Sequence, residues 1–331
     1  MNKYIGHPHQ ISGIEELELV RGKGKGMTLL EIRNGNGLQL TLSADRCMDL
    51  SRVTYKGRNM GWFSPVGYVA PTYYDDQGAG FLKSFTGGFL TTCGLTAVGS
   101  PCTDEGETLP LHGRISNTPC EDYSYEETDE ALTVRATVRE ASVFGHQLLL
   151  HRQVIVSKKE NTVTLLDTVE NVGAKSAPCM LLYHFNMGYP LLSESAKLVI
   201  PNHSVVGRTP EAQADIARAL MVEAPQADYA EQCFYYDVKE QDGMASCGIY
   251  NPEIQAGLIM SFDKKNLNKF TQWKQMGEHE YVMGLEPGNC LPDGRDVVRQ
   301  RGELTLLNPS ETVSFKTVLT FTDTESDITS L

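Results

Sequence analysis

The sequence predicts an all-β, mainly antiparallel protein: a large β-sandwich with few short helices. Three observations support this prediction. Alternating apolar and polar residues, rich in β-branched and aromatic side chains, recur along the 331-residue chain. Turn-forming Gly, Asn and Pro residues separate these stretches. The helices that would alternate with strands in a doubly wound α/β fold are missing.

Five stretches show the strand alternation most clearly: residues 37–42, 132–138, 148–156, 162–169 and 312–319. Helical periodicity is weak by comparison. Residues 211–220, which follow Pro210, predict one short helix, and residues 73–83 predict one or two helical turns. Because no linker-like or low-complexity stretch interrupts the strands, the sequence predicts a single domain over residues 1–331.

Composition excludes several classes of protein. Lys and Arg total 29 against 42 Asp and Glu, a net charge of -13, and an acidic surface repels nucleic acid. Residues 1–20 lack a secretion signal, and no run approaches the roughly 20 apolar residues that span a bilayer. Eight cysteines without a CxxC pair indicate neither a zinc site nor a disulfide framework. We therefore expect a cytoplasmic protein without membrane or nucleic-acid partners; a homodimer is left open.

Two apolar segments each contain a histidine with a second polar residue two positions later. In LPLHGRISNT these are His112 and Arg114, and in MLLYHFNMGYPLL they are His184 and Asn186. On a strand, residues two apart project to the same face. Each pair either lines a cavity or finds polar partners, on a solvated sheet face or within the core.

A third segment, VMGLEPGNCLPDGR, places Glu286 at the end of an apolar run and directly before Pro287, which ends regular strand pairing. A positioned and partly desolvated carboxylate is suited to act as a general base. The structural alternative is a strand-terminal glutamate in a surface turn.

Together, LHG at 111–113, HFN at 184–186 and GLEPGNCLPD at 284–293 resemble the motifs of the aldose 1-epimerase (galactose mutarotase) superfamily, and most closely a bacterial branch of aldose-epimerase-like proteins. The order His, His, Glu and the intervals between them agree with that family. The similarity spans roughly residues 30 to 320. Lys83 is the cation nearest to the arginine that family members have upstream of the first histidine.

The resemblance implies a galactose mutarotase-like supersandwich and an isomerase that interconverts the α and β anomers of an aldose. Glu286 would be the base and His184 the acid of ring opening. His112 would hold the ring oxygen or a neighbouring hydroxyl, and it could replace His184 as the acid. The partner is a small-molecule sugar, and no cofactor or metal is required.

Several further residues are candidate sugar ligands. Cations lie in segments expected near the cleft, namely Arg46, Lys83, Arg114 and Lys274. Because arginine suits bidentate contact with anions, they suggest an acidic or phosphorylated sugar; alternatively they pair with nearby carboxylates and only order the sheet. Strand alternation separates Trp273 from Gln272 and Lys274, and we expect Trp273 in the core and Gln272 as a ligand. The predicted substrate-binding set is therefore His112, Arg114, Arg46, Lys83, Asn186 and Gln272.

Two other functions compete with the epimerase. A non-catalytic carbohydrate-binding or regulatory protein on the same fold would bind sugar without accelerating anomer exchange. A cupin-like metalloenzyme would use two histidines and a glutamate as metal ligands, but the close His-x-His spacing of that class is absent. The presence of both His184 and Glu286 favours the epimerase.

Overall fold

The computed structural model describes residues 3–331 and confirms the all-β, mainly antiparallel fold. The first half of the chain contains β1 (Gly13–Glu18), β2 (Thr28–Arg33), β3 (Leu38–Ser43), β4 (Asp49–Tyr55), β5 (Arg58–Asn59), β6 (Trp62–Phe63), β7 (Gly87–Gly88), β8 (Leu90–Leu95), β9 (Cys102–Asp104), β10 (Glu107–Leu109), β11 (Cys120–Glu127), β12 (Ala131–Ala141), β13 (Gln147–Ser157) and β14 (Thr162–Asn171).

The second half contains β15 (Ala177–Pro178), β16 (Met180–Met187), β17 (Lys197–Val199), β18 (Asn202–Gly207), β19 (Gln232–Val238), β20 (Glu240–Gln241), β21 (Met244–Asn251), β22 (Ala256–Asp263), β23 (Lys269–Gly277), β24 (Glu280–Gly288), β25 (Leu306–Leu307) and β26 (Thr312–Thr322). The three α-helices of the described chain are short: α1 (Pro210–Ala214), α2 (Arg295–Gln300) and α3 (Glu325–Thr329). None of these helices is long and apolar enough to cross a membrane.

Three sheets dominate the architecture. A five-stranded sheet has the order β1-β2-β3-β4-β5, and a six-stranded sheet has the order β18-β19-β23-β24-β16-β8. A nine-stranded sheet runs β11-β12-β13-β14-β26-β22-β21-β17, with β20 paired to β21. Small two-stranded pairs, β6 with β7, β9 with β10 and β15 with β25, lie between them in the chain.

The five predicted strands are confirmed as β3, β12, β13, β14 and β26. Helix α1 is shorter than predicted: it ends at Ala214, and a separate 3-10 turn follows at Ile216–Arg218. Residue Asp215 leaves the helical conformation, and its N–H donates to the carbonyls of both Glu211 and Ala212. The predicted turns of residues 73–83 are two 3-10 segments, Pro71–Tyr73 and Gly80–Lys83.

A buried ionic network ties the three sheets together within the apolar core. Arg152 of β13 lies 2.6 Å from Asp49 of β4 and 2.6 Å from Asp167 of β14. Its guanidinium also donates to the Thr92 hydroxyl of β8, and the Tyr183 hydroxyl of β16 donates to Asp167. Charges are tolerated in a core when they are paired and fully hydrogen-bonded, as they are here.

Candidate active site

Strand register brings the second histidine and the glutamate together. In β16 and β24, Phe185 pairs with Leu285 and Asn186 with Gly284, which sets His184 across from Glu286. Nε2 of His184 lies 3.2 Å from Oε1 of Glu286, although the two atoms are not aligned as a hydrogen bond. Two motifs that are remote in sequence therefore meet because their strands are antiparallel neighbours.

These two side chains lie in a cavity of about 430 Å³ on the face of the six-stranded sheet. Its walls are largely aromatic: Trp62, Phe81, Phe85 and Trp273. The ring centroids of Phe85 and Trp273 lie 5.4 Å and 5.2 Å from that of His184. A concave site with apolar walls and a few convergent polar groups is the usual form of a small-molecule site.

The first histidine reaches the same cavity from a turn rather than a strand. His112 has a φ of +58°, a left-handed conformation that is uncommon for a non-glycine residue. Its N–H donates to the Gly99 carbonyl, and its own carbonyl accepts from the Gly94 N–H. A Cβ at Gly113 would lie 2.2 Å from the Gly94 carbonyl oxygen, so only glycine fits there. The strand prediction for this segment is wrong, yet the His112 ring lies 5.6 Å from that of His184.

Several buried polar atoms of the cavity lining have no hydrogen-bond partner among residues 3–331. They are Nδ1 of His112, Nδ1 of His184, Oγ1 of Thr271 and Oε1 of Glu286. Buried polar atoms are nearly always hydrogen-bonded in folded proteins, because leaving one unpaired costs free energy. Four such atoms around one cavity are available to hydrogen-bond a bound molecule.

Burial shifts the protonation of the three central groups toward their neutral forms. Desolvation lowers the pKa of His184 to about 4 and that of His112 to about 3. Desolvation raises the pKa of Glu286 well above its ordinary value; the nearby Glu231 carboxylate raises it further, and Arg208 opposes the change. Strong and opposite pKa shifts in two touching groups are typical of functional sites.

The predicted cationic ligands lie outside the cavity lining. Arg46 is buried and donates to the carbonyls of Ser116 and Val69. Lys83 is 72% exposed and pairs with an aspartate at 2.7 Å, and Arg114 pairs with another at 3.3 Å. The segments of Lys83 and Arg114 border the cavity, but their side chains pair with Asp75 and Asp76. The expectation of a cationic cleft is therefore not met at these positions.

The predicted ligands on β16 and β23 are also used internally. Asn186 donates to the carbonyls of Gly88 and His184, and Gln272 donates to the Ala219 carbonyl and accepts from the Tyr236 hydroxyl. The buried Lys274 pairs with Glu223 at 2.6 Å. The expected assignment of faces on β23 is reversed: Trp273 lines the cavity, and the neighbouring Gln272 and Lys274 face away from it.

Sequence reasoning missed three charged residues of the lining, Arg208, Glu231 and Glu280, the last of which begins β24. Arg208 follows β18 and donates to the Ser100 hydroxyl and the Pro292 carbonyl, with Nε 3.4 Å from Asp293. Glu231 precedes β19 and accepts a 2.7 Å hydrogen bond from the Trp273 indole. No local pattern marks any of the three, since they reach the cavity only through the strand order β18-β19-β23-β24.

The sequence family described as a domain of unknown function, DUF4432, matches residues 24–321. The chain belongs to the DUF4432 family. No curated protein matches it. Among solved structures, a candidate aldose 1-epimerase from Klebsiella pneumoniae is 26% identical to this DUF4432 chain and superposes with a TM-score of 0.90 over 96% of this chain and 85% of that one.

Two further solved structures share the fold at lower identity. A galactose mutarotase-like protein from Clostridium acetobutylicum gives a TM-score of 0.70 at 12% identity, covering 94% of the DUF4432 chain and 99% of its own. A galactose 1-epimerase from Lactobacillus acidophilus gives 0.62 at 14% identity, covering 94% and 98%. At such identities the likeness shows a galactose mutarotase-like fold and nothing finer.

A second, larger groove of about 650 Å³ lies on the outer face of the nine-stranded sheet of the DUF4432 chain. Some of its polar side chains have protein partners: the hydroxyls of Thr168 and Ser314 lie 2.9 Å apart, and Nε2 of His151 lies 3.4 Å from Glu170, which is outside the groove lining. It contains neither the histidine–glutamate pair nor the convergent unpartnered atoms, so the smaller cavity is the candidate active site.

Gly284 provides the space that the Glu286 carboxylate occupies. A Cβ at Gly284 would lie 2.3 Å from Oε1 of Glu286 and 3.0 Å from Cβ of Trp273. We expect Gly284→Ala to displace the carboxylate. The kcat of the reaction proposed in the next subsection should then fall about 10²-fold, as misplacement by about 1 Å can cause. Steady-state kinetics beside Gly6→Ala, where a Cβ meets nothing within 4 Å, will measure this. Unchanged kcat in Gly284→Ala would contradict this role for the glycine.

Proposed function

We propose that this protein is an isomerase of the aldose 1-epimerase type, which interconverts the α and β anomers of a sugar. The observation that carries the proposal is the His184–Glu286 pair, 3.2 Å apart at the floor of an aromatic cavity and surrounded by unpartnered polar atoms. The structural neighbours described above support it through the fold they share.

The reaction requires one proton to leave the anomeric hydroxyl and one to reach the ring oxygen. As these transfers occur, the bond between the anomeric carbon and the ring oxygen breaks and an open-chain aldehyde forms. Rotation about the C1–C2 bond and reclosure give the other anomer. The protein neither gains nor loses a proton overall, so a pair that holds one proton and accepts one is sufficient.

In our proposal Glu286 removes the hydroxyl proton and His184 protonates the ring oxygen. The pair holds a single proton, which burial favours on Glu286; the reactive arrangement has that proton on His184, and the free energy needed to form it is part of the barrier. The two groups then titrate as one unit with two macroscopic pKa values. Glu286, whose proton affinity burial has raised, is a stronger base than an ordinary carboxylate.

His112 is the alternative acid, and we assign it a binding role instead. Its ring lies 5.6 Å from that of His184, whereas the pair with Glu286 is formed by His184. With a pKa of about 3 it stays neutral and can hold a sugar hydroxyl. We expect His184→Asn to lower kcat about 10²–10⁴-fold and His112→Asn to act mainly on KM. The reverse pattern would transfer the acid role to His112.

Activity should follow a bell-shaped pH profile, because only the singly protonated pair is competent. As pH falls toward about 4, His184 gains a second proton and the rate declines. As pH rises through the elevated pKa of Glu286, the pair loses its only proton and the rate declines again. The measurement is kcat/KM across pH after subtraction of the uncatalysed rate. A rate that rises through the ordinary pKa of a glutamate and never falls would contradict a shared proton.

An acidic or phosphorylated sugar was predicted from cations that the structure places outside the cavity. An aldose without a negative charge therefore fits the lining better. The decisive experiment is NMR exchange spectroscopy of anomers over neutral, uronic and phosphorylated sugars. Acceleration of at least one sugar supports the isomerase; saturable binding without acceleration would instead support the non-catalytic carbohydrate-binding protein. Metal analysis of the purified protein tests the cupin-like alternative.

A further inference from the structure

The charged side chains of the cavity lining are predominantly acidic. Glu231, Glu280 and Glu286 face a single cation, Arg208. Even when Glu286 is protonated, as its raised pKa favours, two carboxylates remain against one guanidinium. The lining therefore repels a substrate with negative charge. The net charge of the whole chain could not show this, because it does not give the charge at the cavity.

The guanidinium of Arg208 is already committed to protein groups. Nη2 donates to the Ser100 hydroxyl at 2.8 Å and to the Pro292 carbonyl at 3.1 Å, and Nε lies 3.4 Å from Asp293. Asp293 lies outside the lining, and its carboxylate offsets much of the positive charge of Arg208.

The two outer carboxylates are held without a cation. Neither Glu231 nor Glu280 forms an ion pair within the described chain, in contrast to Asp75, Asp76 and Glu223, which all do. Glu231 is fixed in place by the indole N–H of Trp273. The buried, unpartnered atoms of the same cavity are an independent indication that it binds a ligand with hydrogen-bonding groups.

We propose that the preferred substrates of this site are amino sugars, aldoses whose ammonium group faces Glu231 and Glu280 while the anomeric carbon lies at His184 and Glu286. This inference rests on the proposed function and specifies its substrate class.

The test compares four sugars of one skeleton: an amino hexose, its N-acetyl derivative, the parent neutral hexose and the uronic acid. KM and kcat are measured at a pH where the amine is protonated. We expect KM to rise in the order amino, neutral, acidic, with amino and neutral sugars differing about 1.5- to fivefold, the range for exposed charge pairs. The N-acetyl sugar should resemble the neutral one. At about 1 M salt, where the Debye length is about 3 Å, the preference should shrink.

Glu231→Gln and Glu280→Gln should each reduce the ratio of neutral to amino KM. Glu240→Gln removes the same charge at an exposed position outside the lining and should leave the ratio unchanged. If amino, N-acetyl and neutral sugars have the same KM, or if both lining variants keep the wild-type ratio, the inference is wrong while anomer exchange of the neutral sugar still upholds the isomerase. If no aldose is exchanged, the isomerase is wrong, and equilibrium binding of the amino sugar then decides the charge preference alone.

Discussion

Glu286→Gln should lower kcat for anomer exchange by about 10²–10⁴-fold, because glutamine keeps the shape of the side chain but can neither accept nor release the proton. KM should change much less, since glutamine still hydrogen-bonds a sugar hydroxyl. Exchange spectroscopy of wild type and variant gives both constants. The control is Glu240→Gln, which should retain full activity. A Glu286→Gln enzyme with wild-type kcat would remove the glutamate from the mechanism.

The same substitution should stabilise the fold at neutral pH. The folded-state pKa of Glu286 lies above the ordinary value of 4.5. The unfolded chain therefore releases this proton first as pH rises, which lowers the free energy of unfolding between 4.5 and the folded-state pKa. Glutamine removes this cost, so the Tm gain should appear at neutral pH and vanish below 4.5. Loss of activity together with a gain in stability would mark a group retained for chemistry.

Arg152→Met should lower the free energy of unfolding by about 3–5 kcal/mol, since it leaves two buried aspartates without their cation. Burial already raises the pKa of Asp49 while Arg152 holds it down, so loss of the arginine makes its ionised form costlier still. Urea unfolding monitored by tryptophan fluorescence measures the change. The matched control is Arg135→Met on the neighbouring strand β12, where an exposed pair with Glu126 should contribute about 0–1 kcal/mol.

A second variant separates the missing charge from the missing packing. Combining Arg152→Met with Asp49→Asn and Asp167→Asn removes all three charges and should recover part of the lost stability, because no uncompensated carboxylate remains. If Arg152→Met is no more destabilising than Arg135→Met, the network does not hold the sheets together. If the triple variant is less stable than the single one, the hydrogen bonds rather than the charges are decisive.

The sequence was sufficient to predict those features that depend on local pattern. Period-two alternation located β3, β12, β13, β14 and β26 because their inner faces are apolar and their outer faces polar. The trio of His112, His184 and Glu286 was found through motif resemblance, and the structure brings their side chains to one cavity. Their catalytic and binding roles stay predictions.

The predicted ligands fail where the direction of a side chain depends on tertiary contacts. Alternation shows that Trp273 and Gln272 face opposite sides of β23, but both sides of this strand are covered, so the pattern cannot indicate which one is open. Arg46 and Arg114 suited an anion site by chemistry alone, yet carbonyl and carboxylate partners elsewhere determine their orientation. Arg208 and Glu231 belong to chain segments without a recognisable motif, and the strand order of the folded sheet is what brings them to the cavity.

Neighbouring residues of β16 serve opposite purposes: Tyr183 donates to Asp167 inside the core network, and His184 faces the cavity. A change in the backbone of β16 would therefore move both the core network and the proposed acid, His184. Glu231 and Arg208 belong to segments outside the strands and take no part in the core network. Substitutions in these segments would therefore change the cavity lining while leaving the strands that hold His184 and Glu286 in place.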